Sequence, residues 1–235
     1  MIRTSAVTAL TIAAFAVTSV AGAAIASASP GVPVPAFDFR SHLDSLLLTP
    51  GSVAGITGAD GMKVVGSSTE FADTSDAVDA VECIGAFEPG QRAAYDDSGS
   101  VSLVTKVLAD GRPGSATHFA NQTIVEFADR DAAAAYIAAA AQSWSDCRGR
   151  TVTLSMDSGE QAEWKLGEAE LRRDNTVLVT SQTAGSSTCE RALAGYDKYV
   201  VDAMACNYQG GEPAGQAEQI VLAVTAQVAT DGEGR

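Results

Sequence analysis

The stretch STCERALAGYDKYVVDAMACN, residues 187–207, decides the fold. It reads as two short strands around a Gly-Tyr-Asp-Lys centre, with a cysteine near each end. If Cys189 and Cys206 face each other, their midpoint falls between Asp197 and Lys198, where the turn signals sit, so the register is self-consistent. Residues directly opposite on antiparallel strands bring their Cα atoms within disulfide reach, and this pair can form without moving backbone. The chain has four cysteines. In an exported protein an even number reads as two disulfides with three possible connectivities, and pairing the hairpin cysteines leaves Cys83 with Cys147.

Export itself is read from the other end of the chain. Arg3 precedes an apolar run from Ala6 to Ile25 that closes on Ala26-Ser27-Ala28, the layout of a cleavable secretory signal over residues 1–28. A run of about 20 apolar residues can also span a bilayer, so a retained anchor is the competing reading. The small residues of the run and its Ala-x-Ala ending favour cleavage, which leaves the mature form without a membrane span. No cysteine lies near the cut, so a lipid anchor on an N-terminal cysteine is excluded. Residues 29–37, with three prolines, form an extended lead-in, and 38–232 form one domain.

Losing Arg3 and no acid moves the net charge from -14 to -15, 29 acidic against 14 basic residues. Such a field repels phosphate backbones and anionic lipid surfaces. Nucleic acid is thereby excluded as a partner, while cationic and neutral partners stay open.

Working inward, FRSHLDSLLL places Leu43, Leu46 and Leu47 on one helical face. Thr49-Pro50 starts a second helix that Gly58 stops. Residues 57–74 read as loop with a strand at Met62–Val65, and a third helix is expected over Ser75–Ile84. Strands follow in SVSLVTKVLAD and SATHFANQTIVEFAD. Asp129 then caps an alanine-rich helix whose stripe is Tyr136, Ala140, Trp144 and Cys147. RTVTLSM, AEWKLGEAELRRD and NTVLVTSQTA are three more strands, and a last helix runs from Gly215 to Val228. Neighbouring strands joined by short polar turns pair antiparallel, giving an α+β protein with a single antiparallel sheet flanked by helices.

Catalytic chemistry is sparse, and no catalytic residue is assigned. His42 and His118 carry no motif, and with the cysteines in disulfides no metal site is assigned. No Gly-x-Ser-x-Gly elbow occurs. GITGADG lacks the lysine of a phosphate loop, and Asp96-Asp97 lacks EF-hand spacing. No cofactor is implied. Asn121-Gln122-Thr123 matches a glycosylation acceptor but lies within a strand pattern. Trp144 reads as core from its place on the apolar stripe. Trp164, on a more polar strand, and Tyr196 and Tyr199, at the hairpin, are the candidate ligand-binding residues.

LDSLLLTPGSVAGITGADGM, VECIGAFEPGQRAAY, AYIAAAAQSWSDCRGR, TCERALAGYDKYVVDAMACN and GQAEQIVLAVTAQV together resemble the PknH-like extracellular sensor domain family of mycobacteria. The likeness runs from about residue 38 to 230, and Ser143-Trp144 with Cys147 and the 189–206 block are its most specific parts. It implies a twisted antiparallel sheet flanked by helices with a ligand cleft, and the pairing Cys83–Cys147 and Cys189–Cys206. The expected function is a secreted, non-catalytic sensor of the cell envelope or medium that binds an unidentified small molecule or envelope component. The alternatives are an envelope-associated protein that presents a surface to a protein or glycan, and a cryptic secreted hydrolase.

Overall fold

The hairpin forms as its symmetry requires. β8 (Ser187–Tyr196) pairs antiparallel with β9 (Tyr199–Asn207), and the register sets Cys189 opposite Cys206 and Tyr196 opposite Tyr199. Cys189 is bonded to Cys206, with Cα atoms 4.0 Å apart. The computed structural model describes residues 39–112, 115–156, 158–211 and 215–233. The signal segment 1–28 and the lead-in 29–37 lie outside the described residues.

Among the described residues one sheet of nine strands is built outward from this hairpin. On one side come β3 (His118–Phe127), β2 (Ser100–Ala109) and β1 (Lys63–Ser68). On the other come β7 (Val177–Ala184), β5 (Gln161–Leu166) and β4 (Thr151–Ser155), while β6 (Glu170–Arg172) shares the same edge of β7 as β5. Every ladder is antiparallel.

Alternation along the strands sends two sets of side chains to two faces. One face carries Val104, Leu108, Ile124, Val201 and Ala203 and is covered by α1 (Phe39–Leu46), α2 (Pro50–Thr57) and α6 (Gln216–Glu233). The α2 helix starts as its sequence demands, with the Thr49 hydroxyl accepting from the Ser52 N–H and Gly58 closing it in the left-handed region. Buried Gln122 clamps the α1–α2 link, its carboxamide accepting from Leu48 N and donating to Leu48 O, both at 2.9 Å.

The opposite face carries Leu103, Val125, Leu178, Leu193 and Val200. It is covered by α3 (Ile84–Phe87), α4 (Arg92–Tyr95) and α5 (Arg130–Asp146), with Trp144 buried at 3% exposure. Cys83 is bonded to Cys147, so the start of α3 is tied to the end of α5. These three helices cover only part of this face. Toward the Cys189–Cys206 end Phe119, Trp164 and Tyr208 are partly buried.

Two differences from the sequence reading shape the frame of the site. The helix expected over Ser75–Ile84 is instead two 3₁₀ turns, Ser75–Ala77 and Val81–Cys83, around an extended link. The exposed edge of β4 captures that link: Val78 bridges Leu154, and Thr153 N donates to the Asp79 carboxylate at 2.8 Å. AEWKLGEAELRRD is not one strand but two. Gly167 breaks it because its backbone lies against Ser181, where a Cβ would come within 2.4 Å of the hydroxyl oxygen.

Candidate functional site

The site begins with a turn. Glu88-Pro89-Gly90-Gln91 joins α3 to α4, and proline followed by glycine is the signature of a turn whose third residue needs a positive φ. Gly90 adopts φ 63°. It also lies close to the sheet: a Cβ would be 3.2 Å from the Thr123 hydroxyl oxygen, tighter than an ordinary contact. The loop after β1 docks on this turn through Ala72 N to Gly90 O, 3.0 Å, and Arg92 N to Ala72 O, 2.7 Å.

A buried ion pair holds the turn on the sheet. Asp202, on β9, accepts from Arg191 Nη1 at 2.6 Å, from the Gly90 N–H at 3.0 Å and from the Tyr95 hydroxyl at 3.1 Å. Arg191, on β8, donates also to Gly85 O at 2.8 Å and lies 5.1 Å from the centre of the Trp144 ring. Burial in this cluster pushes the Tyr95 hydroxyl well up, and the Asp202 charge adds to it. One ion pair thus fixes α3, α4 and the turn between them.

The turn, the 68–74 loop and the uncovered strands enclose a cavity of about 350 Å³. Thr105, Phe119, Asn121 and Met204 line it from β2, β3 and β9, and Thr74, Glu88 and Gln91 from the opposite wall. Glu88 Oε2 accepts from the Thr74 hydroxyl and the Gln91 carboxamide, both at 2.9 Å, so the carboxylate is fixed in orientation. Its second oxygen and the Asn121 side-chain nitrogen have no hydrogen-bond partner among the described residues. Burial pushes the Glu88 carboxyl up, while the Thr74 hydrogen bond and the Arg191 charge pull it back. Tyr208 is pushed up by burial and then by the charge of Glu88.

A larger groove, about 730 Å³, runs between α5 and the α3–α4 segment. Its lining includes Ala135, Ala139 and Ala140, with Glu82, Asp96 and Asp97 solvated at its rim. Ile84, Tyr136 and Trp144 line it too and give it a larger apolar surface than the smaller cavity has. The smaller cavity, where two hydrogen bonds fix Glu88 and where Asn121 also lines the wall, is the better site for a polar ligand.

The residues expected to bind ligand are not brought together. Trp164 stands opposite Val152 on β5 and packs by the Cys189–Cys206 bridge, with its ring 6.2 Å from that of Phe87. Tyr196 and Tyr199 lie at the far end of the hairpin, about 23 Å from Cys189 at ~3.3 Å per residue. Tyr199 packs on the core beneath α6, the opposite face from Trp164. Sequence reasoning missed Glu88, Asn121 and Phe119. The Pro89-Gly90 turn and a polar residue in the middle of an apolar strand were the available signals.

His118 does meet a hydroxyl and a carboxylate. Its Nδ1 lies 2.8 Å from Asp110 and 2.9 Å from Thr117, and Thr117 donates directly to Asp110. Proton relay needs the nucleophile and the orienting acid on different ring nitrogens; here both share one. The cluster is a β2–β3 turn lock. Burial pushes the Asp110 carboxyl up, but the Thr117 and His118 hydrogen bonds outweigh it and hold it well below the usual carboxylate range. Among the described residues no three His, Cys, Asp or Glu side chains gather to hold a metal ion. Among them no helix is long and apolar enough to cross a membrane.

Comparison with known proteins gives the same fold. The structure matches the crystal structure of the extracellular domain of PknH from Mycobacterium tuberculosis with a TM-score of 0.73 and 24% identity, covering 81% of this chain and 96% of that one. The chain is 28% identical over 179 residues to the serine/threonine-protein kinases PknH of Mycobacterium bovis and Mycobacterium tuberculosis. That alignment takes in 75% of this chain but only 30% and 28% of the kinases, respectively. Residues 40–227 match the family model described as PknH-like extracellular domain, and the chain belongs to that family.

Proposed function

We propose that the protein is a non-catalytic sensor module that takes a small molecule in the cavity between Glu88, Asn121 and Phe119. One observation carries the reading. A carboxylate oxygen and a carboxamide nitrogen, each on a fixed scaffold, face a cavity and make no hydrogen bond within the described protein. Both groups reach solvent and stand on fixed elements, and a concave site with a few convergent polar groups of this kind is where small molecules bind. A sensing role is supported by the relatives, in which the matching fold is the extracellular domain of a serine/threonine-protein kinase.

Native mass spectrometry on protein purified from its own medium tests the reading. A small-molecule adduct is expected on the wild type and is lost from Asn121→Leu and Glu88→Gln. The same adduct retained by both variants would overturn the assignment.

A further inference from the structure

We infer that the ligand of this cavity is an uncharged sugar; the inference rests on the ligand-binding reading above and narrows it to a class. Charge comes first. The lining includes the carboxylates of Glu70 and Glu88 and no lysine, arginine or histidine. In a chain of net charge -14 this disfavours phosphates, sulfates and carboxylates.

The hydrogen-bonding groups come second. Glu88 presents an acceptor held in place by Thr74 and Gln91, and Asn121 presents a donor. The Thr105 hydroxyl, paired with Thr123 at 2.8 Å, stands with them on the cavity wall. Fixed acceptors and donors side by side suit a ligand whose own groups do both, and hydroxyls are the groups that do.

The apolar wall comes third. Phe119 and Met204 give the cavity one hydrophobic side. A molecule that is polar around its edge and apolar on one ring face matches that division, and a pyranose is such a molecule. Two carboxylates also suit a cation, so spermidine serves as the competing probe. The cavity, about 350 Å³ and open to solvent on one side, seats a ring or two, and a longer oligosaccharide extends from it into solvent.

Amide chemical shifts of the full chain, titrated separately with chitotriose, maltotriose, mannotriose, spermidine and inorganic phosphate, test the class. At least one of the three sugars should move the amides of Gly90, Phe119 and Asn121. Glu88→Gln, with its dispersed spectrum retained, should weaken that binding at least tenfold. Shifts at these amides from spermidine or phosphate, with none from the sugars, would overturn the sugar class and leave the cavity as a ligand site. If none of the five probes moves them, the sugar class falls, and a fragment library on the same sample then judges the cavity. Fragments that cluster at Gly90 and Asn121 keep it as a binding site, and fragments that cluster only elsewhere remove it.

Discussion

Arg191 and Asp202 have side chains 1% and 2% exposed, and few charges in the molecule are so completely withdrawn from water. A buried ion pair need not stabilise relative to an apolar pair, but removing one partner leaves the other charge stranded. Asp202→Asn is therefore expected to destabilise by about 3 kcal/mol or more, read from the urea midpoint. It should also speed hydrogen exchange at Gly90. Glu88 carries the opposite lesson. Burial raises its folded pKa above its unfolded one, so its contribution is fully present below the unfolded carboxyl range and is lost as pH rises through the folded value. Glu88→Gln mimics the neutral form. Thermal melts should show the variant more stable than wild type at pH 7, with the gain fading toward pH 4. Asp110 has the reverse sign: its folded pKa is depressed, so its contribution is present at neutral pH and lost on acidification. The melting temperature of Asp110→Asn should fall at pH 7 and converge with wild type in strong acid.

At the scale of elements the two disulfides do different work. Cys83–Cys147 closes a loop of 64 residues and ties the cavity-bearing α3–α4 segment to α5. On the chain-entropy model such a loop contributes about 4 kcal/mol, and the hairpin's shorter one about 3 kcal/mol. Replacing Cys83 and Cys147 with serine should lower stability by roughly that larger amount and raise hydrogen exchange across residues 84–95. Replacing Cys189 and Cys206 should leave exchange in that segment near wild type, since the hairpin keeps its ladder. The hairpin and α5 were legible in the sequence because their signals are local: a centred turn, a capping Asp129, an apolar stripe. The 75–84 segment was not, because its backbone is claimed by an edge strand some 70 residues later, a tertiary pairing that overrides helical propensity. The cavity was illegible for the same reason. Glu88 and Asn121 converge only once Asp202 has anchored the turn from 112 residues beyond Gly90. Trp164 reads as a candidate from its polar strand and the two tyrosines from their place at the hairpin turn, but strand alternation sends Trp164 and the tyrosines to opposite faces.

For the whole molecule, an acidic charge of -14 and membership of an extracellular domain family fit a protein secreted or held in the envelope, away from nucleic acid. Passage through a heparin column at physiological salt is the expected behaviour, and retention would contradict the charge argument. The sheet is a rigid frame with helices closing one face and part of the other, and the uncovered remainder is where the chain has placed unpaired polar groups beside Phe119. A crystal structure of protein taken directly from its native medium examines that remainder most directly. Density for a small molecule bridging Glu88 and Asn121 against the Phe119 ring is expected. A well-ordered ligand in the groove along α5, with only water between Glu88 and Asn121, would contradict it.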